Sequence, residues 1–120
     1  MVAGGQSGSN TLDLVEMINL ETMTSCVVNV KLDVPRRLHT GDGDLVCGGS
    51  DDDWNIHSSC YNIVTGTTIS LNNGRHSHTS WTTGDGTYLV GGFDGSSYKT
   101  TELITGSTTQ AGFTLKYVTL

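Results

Sequence analysis

The apolar positions of this chain come in short organised runs divided by polar stretches rich in glycine and threonine, a layout of short strands joined by tight turns. Val2-Ala3, Val46-Cys47 and Leu89-Val90 each run into a pair of glycines, Gly4-Gly5, Gly48-Gly49 and Gly91-Gly92. The first glycines of the three pairs lie 44 and 43 residues apart. A shared approach precedes the second and third pairs: Arg36-Arg37-Leu38-His39-Thr40 before Gly41-Asp42-Gly43, and Arg75-His76-Ser77-His78-Thr79 before Gly84-Asp85-Gly86.

After each glycine pair comes a polar stretch, then an apolar strand: Leu14 to Ile18, Ser59 to Val64, and Thr101 to Ile104. Threonine-rich turns follow at Thr22-Met23-Thr24, Thr65-Gly66-Thr67 and Thr105-Gly106-Ser107, and a last strand closes each unit, at Ser25 to Leu32, Thr68 to Leu71 and Gly112 to Leu120. Gly-Asp-Gly at 41–43 and 84–86 predicts hairpin turns, and Asn72-Asn73-Gly74 a further turn between units. A glycine pair at a strand end permits positive φ and close backbone approach. The approximate units are 1–35, 36–74 and 75–120, in one domain.

Sixteen glycines and one proline among 120 residues fit this turn-dense layout. The net charge is −6, and of the six Lys and Arg only Arg36 and Arg37 adjoin. That balance argues against a nucleic-acid partner, which calls for clustered cations. No run approaches the roughly 18 apolar residues of a membrane helix, so no membrane role is expected. Cys26, Cys47 and Cys60 form an odd set without a CxxC pair. The count favours three reduced structural thiols, and slightly a cytosolic setting, over one disulfide plus a free thiol in an oxidising compartment; the compartment stays open, with a secreted parent protein the other setting.

About four short strands per period of about 43 residues is the layout of a β-propeller blade. A WD40 blade ends its third strand in Trp-Asp, whereas neither Trp54 nor Trp81 precedes an aspartate. On its glycine pairs, its Arg-x-x-His-Thr approach and its period, the chain resembles the kelch family along all 120 residues. The resemblance implies an all-β fold of four-stranded antiparallel blades, nearly three of them, and hence a partial or half propeller. Gly4, Gly5, Gly48, Gly49, Gly91, Gly92, Arg36, His39, Arg75 and His78 are its structural repeat motif. Kelch blades usually carry a tyrosine in the third strand and a tryptophan about six residues on. Tyr61 fits the first place, with Met17 and Ile104 read as its equivalents, and no such tryptophan follows.

Propellers close with roughly 4–8 blades, so the chain is expected to be either a segment of a longer propeller or a self-associating half whose dimer supplies about six. The segment is favoured because Met1 opens straight into a mid-blade strand, and the inner strand of the second unit looks clipped. The function implied is a protein-interaction module that holds its partner with the loops after the glycine pairs. Loop residues placed by a rigid scaffold are where recognition concentrates. The candidates are Asp51, Asp52, Asp53, Trp54, Asn55 and His57 in the second unit and Phe93, Asp94 and Tyr98 in the third, with Gln6, Ser7 and Asn10 in the first. Trp54 beside acids suits a hot spot for a basic or aromatic partner.

Other chemistries find less support. His76 and His78, two apart, share a strand face, with His39 at the equivalent of His78, but two ligands fall short of the three or four of a zinc site. Each histidine is read instead as bonding the backbone of a neighbouring unit. Asp51-Asp52-Asp53 lacks the alternating spacing of a calcium loop, so no metal or cofactor is expected. No nucleophile elbow and no P-loop is present, and catalysis is not expected. The alternative function is a fragment of a larger propeller, including an extracellular metal- or carbohydrate-binding protein resembling galactose oxidase, whose cysteine–tyrosine crosslink the neighbours Cys60 and Tyr61 do not reproduce. A third reading is that the chain completes another propeller by adding strands at open edges.

Overall fold

The computed structural model describes residues 1–117. It is all-β, with thirteen strands in four antiparallel sheets and no helix among the described residues, so none that could cross a membrane. The chain runs through β1 (Val2–Ala3), β2 (Gln6–Ser7), β3 (Asn10–Thr11), β4 (Leu14–Asn19) and β5 (Thr24–Lys31). It continues through β6 (Thr40–Asp42), β7 (Leu45–Cys47), β8 (Ser59–Asn62) and β9 (Thr68–Ser70). The last four strands are β10 (Thr79–Thr83), β11 (Gly86–Val90), β12 (Thr100–Thr105) and β13 (Thr108–Thr114). Strand orders are β1-β4-β5 in the first sheet, β6-β7-β8-β9 in the second and β10-β11-β12-β13 in the third; β2 and β3 form a separate ribbon inside the first polar stretch.

Alternation along the strands sends side chains to both faces of the second sheet, and both faces are covered. Val46 and its cross-strand partner Tyr61, with Ile63, meet Val15, Leu32, Ala3 and Val28 of the first sheet and its flanks. On the opposite face Cys47, Cys60, Ile69 and Leu45 meet Leu89 and Ile104 of the third sheet, with Leu71 beside them. Burial of such a side chain contributes about 1.5–3 kcal/mol, and two small clusters of this kind are the apolar core.

The strand-to-strand turns are built by side chains. Asn19 Oδ1 accepts from the backbone N–H groups of Glu21 and Thr22, and Asn62 Oδ1 from those of Val64 and Thr65, at 2.9–3.2 Å. The positions that follow, Met23 and Gly66, take the same left-handed backbone at φ 55° and 72°.

Several expectations need correction. The hairpin turns fall at Gly43-Asp44 and Gly84-Asp85, because Asp42 pairs with Leu45 and Thr83 with Gly86. Gly41 and Asp42 therefore lie inside β6 and are not part of the turn. The inner strand is clipped by two residues, three against five, and β7 is shortened equally against β11. Removing an even number from each strand keeps every remaining side chain on its original face, which is why the clipping leaves the packing intact.

The closing strand of the third unit runs Thr108–Thr114 rather than from Gly112, since a two-residue turn after Thr105 lets pairing begin at once with Thr105 opposite Thr108. Residues 118–120 of that expected strand lie outside the described residues. Tyr61 pairs with Val46, two residues before its glycine pair; the residues in that register elsewhere are Glu16 and Glu102, not Met17 and Ile104. The three cysteines are not three buried thiols. Cys47 and Cys60 face each other across β7 and β8 and are joined by a disulfide, and Cys26 is free and exposed. A cysteine count carries no register, and register is what brings the two Cβ atoms together.

Candidate interaction surface

Each glycine pair turns the chain out of its strand in the left-handed region, with φ of 62° at Gly48 and 92° at Gly49. A methyl group on Gly48 would collide with the Arg75 carbonyl oxygen, so the next segment can lie this close only on a residue without a side chain. That segment is the Arg-x-x-His approach. The Arg75 carbonyl accepts from Gly49 N–H at 2.8 Å and the Arg36 carbonyl from Gly5 N–H at 2.7 Å, tying each approach to the preceding glycine pair.

The same arginines reach forward with their side chains. Arg36 Nη1 donates to the Gly48 and Ser59 carbonyls, both at 2.9 Å, while Nη2 donates to Ser59 Oγ and the Asp33 carboxylate. Arg75 Nη1 donates to the Gly91 and Thr100 carbonyls, and Nη2 to Glu102 Oε2 at 2.7 Å. Both arginines are fully buried. Residues 36 and 75 are thus structural clamps.

His39 and His78 sit in the same joints. Nε2 of His39 is 2.8 Å from the Ala3 carbonyl, the backbone bond expected, whereas Nε2 of His78 is 2.8 Å from the Thr40 hydroxyl rather than a backbone group. Burial, reinforced by the positive charge of Arg75 and neighbouring imidazoles, pushes His78 down to about 4, and burial also lowers His39. An unfolded histidine near 6.5 takes up a proton that folded His78 refuses, so its contribution is fully present above pH 6.5 and is lost as pH falls toward 4. Stability should drop by about 2 kcal/mol between pH 7.5 and pH 5 from this group. Urea unfolding at the two pH values tests this: His78→Gln should remove most of the drop, and an unchanged drop in that variant contradicts the assignment.

The loops after the glycine pairs carry a row of rings. Arg37 stacks over Trp54 at 4.5 Å, Trp54 lies 6.0 Å from His76, and His76 lies 5.5 Å from Phe93. The row crosses from the second to the third repeat because Arg37 bridges to Ser50 and His76 to Phe93. Trp54 is 59% exposed and sits at φ 61°, an uncommon conformation for so bulky a residue. Its loop is held by Asp51, whose carboxylate accepts from the N–H groups of Asp53 and Asn55 and from Asn55 Nδ2 at 2.8–2.9 Å. Those bonds, the Asn55 side chain first, hold the Asp51 carboxyl below its usual range.

The candidate residues therefore separate by what they touch. Asp51 and Asn55 bond each other, and Asp52 accepts from the N–H and hydroxyl of Thr11, fastening the loop to the β2–β3 ribbon where Gln6, Ser7 and Asn10 lie exposed. His57 Nε2 is 3.1 Å from the Pro35 carbonyl. Tyr98 lies over the Arg75 guanidinium at 5.1 Å and donates its hydroxyl to Asp94, and burial, followed by the Asp94 contact, pushes its pKa up. Trp54, Asp53 and Asp94 remain turned to solvent, with Phe93 half-buried at the end of the row.

Sequence reasoning missed Arg37 and His76 as members of this row, although both directly follow a repeated arginine. Among the described residues no three His, Cys, Asp or Glu side chains converge as a metal site. A scan of the chain against protein-family models and a search of curated proteins both find no match.

Proposed function

We propose that this chain is a kelch-like β-propeller segment, without catalytic activity, that works as a protein-interaction module through the loops after its glycine pairs. The observation that carries the reading is the row Arg37–Trp54–His76–Phe93, in which an exposed tryptophan is held in a strained conformation by a loop bonded to its own Asp51. Strain kept in place by surrounding bonds concentrates at functional sites, and tryptophan on a rigid support is a frequent binding anchor. Asp53 and Asp94 beside the row suit a basic partner.

Association with a second copy is part of this proposal. The third sheet ends in an aromatic face, where Trp81 and Phe113 are exposed on either side of Tyr88 at ring distances of 6.5 and 5.9 Å. Exposed apolar patches of this kind mark contact surfaces.

Peptides selected for binding on the purified chain, its mass first fixed by light scattering against 12.7 kDa for a monomer, test both parts. Trp54→Ala should weaken the selected binders by about 30-fold, as a hot-spot truncation does, with the melting temperature unchanged. Binders indifferent to Trp54 would discard the loop surface, and a strictly monomeric mass would discard the association.

A further inference from the structure

Among the seven asparagines of the chain, Asn73 alone is followed by glycine. Asparagine amides are labile because the backbone nitrogen of the next residue attacks them, and a next residue without a side chain hinders that attack least. In a folded chain the attack also needs both groups unheld. Asn19 and Asn62 spend their Oδ1 on turn N–H groups, and Asn55 gives its Nδ2 to Asp51. Asn10 and Asn29 lie within β3 and β5, ahead of the β-branched Thr11 and Val30. Asn72 precedes Asn73, whose own N–H is held by Glu102 at 3.3 Å. At Asn73 both groups are at liberty. Its side chain is exposed and makes no hydrogen bond among the described residues, and the Gly74 N–H donates to none of them.

The residues around that pair form the joint between the second and third sheets. Leu71 N–H donates to the Ser58 carbonyl at 2.9 Å and the Arg75 carbonyl accepts from Gly49 N–H at 2.8 Å, so the connection is pinned at both ends. Between them Glu102, 2% exposed, gathers the N–H groups of Asn72 and Asn73 and the Arg75 guanidinium. His76, next in the chain, lies 6.0 Å from Trp54 of the second unit's loop. A change of charge or backbone length at residue 73 therefore acts on the ion pair, the turn and the ring contact together.

We infer that Asn73 is a site of spontaneous covalent modification, at which the side-chain amide becomes a carboxylate and loosens the joint between the second and third sheets. The Gly74 nitrogen attacks Asn73 Cγ, the Cγ–Nδ2 bond breaks, and the amide nitrogen leaves as ammonia with the Gly74 proton. Water then opens the cyclic imide at either carbonyl. Opening at Cγ gives aspartate. Opening at the main-chain carbonyl gives isoaspartate, whose backbone runs through Cβ and Cγ and is one atom longer. Either product adds a carboxylate to the residue whose N–H the Glu102 carboxylate holds, and like charges at close range repel. The longer isoaspartyl backbone also strains a connection pinned at both ends. This inference stands on the backbone of the joint, independently of the loop surface proposed above.

Ageing the purified chain at mildly alkaline pH and body temperature, followed by peptide mass spectrometry, tests it. Asn73 should convert first, into two acid-containing peptides of equal mass and different elution. Gly74→Ala, whose added methyl would come no nearer than 3.4 Å to Ile56 and His57, should keep the fold and slow the conversion severalfold. Asn73→Gln should stop it. The converted chain, separated by anion exchange on its extra negative charge, should melt about 4 °C below the fresh chain. Asn73→Gln aged alongside should keep its melting temperature. An Asn73 amide that outlasts the other asparagines, or equal rates in the parent and Gly74→Ala, overturns the site. A converted chain that melts with the fresh one overturns the loosening of the joint.

Discussion

Glu102→Ala should destabilise the fold by about 3–5 kcal/mol, the range for breaking one side of a buried ion pair. Glu102 is 2% exposed and Arg75 fully buried, and they meet at 2.7 Å. The same carboxylate accepts the backbone N–H groups of Asn72 and Asn73 at 2.6 and 3.3 Å, closing the turn that links the second sheet to the third. Removing it strands a guanidinium nitrogen with only a 3.4 Å contact to Thr100 Oγ1, and leaves two turn N–H groups without their acceptor. The corresponding pair in the preceding joint is softer. Asp33 is partly exposed and Arg36 keeps Ser59 Oγ, so Asp33→Ala should cost about 1 kcal/mol or less. Urea unfolding midpoints compare the two directly, and a Glu102→Ala chain within 1 kcal/mol of the parent would show that the pair contributes little.

Loss of the Cys47–Cys60 disulfide should lower stability by about 3 kcal/mol. The two cysteines are separated by 13 positions, and closing a loop of that size removes roughly this much chain entropy from the unfolded state. Both residues lie in the cluster between the second and third sheets, so replacing them by alanine adds a packing cost to the entropic one. The measurement is the unfolding midpoint of the oxidised chain against Cys47→Ala/Cys60→Ala, together with a thiol count in denaturant. One reactive thiol, Cys26, is expected; three would remove the crosslink from the account.

The strands were legible because their signals are local. Apolar runs ended by glycine pairs mark where a strand must stop and turn, and β1, β7 and β11 all stop there. The Arg-x-x-His spacing likewise led to the joints between sheets, where Arg36, Arg75, His39 and His78 lie. Among the loop candidates, the sequence led to Trp54 and its acids but could not separate Asp51, bonded within its own loop, from Asp53, free at the surface. A run of three aspartates looks uniform until the backbone decides which carboxylate turns inward.

By itself, then, the sequence determined an all-β chain, its repeating period, the residues at which strands end, and the residue types at the joints. These depend on φ preferences and apolar alternation, which act over a few neighbours. Tertiary structure decided what depends on register. Pairing of β11 with β12 put Glu102 in the row of Tyr61, within reach of Arg75, while pairing of β7 with β8 set Cys47 against Cys60. Packing of one repeat on the next aligned Arg37, Trp54, His76 and Phe93. A shift of one residue in any of these pairings would turn each side chain to the opposite face, and no local signal in the chain encodes that choice.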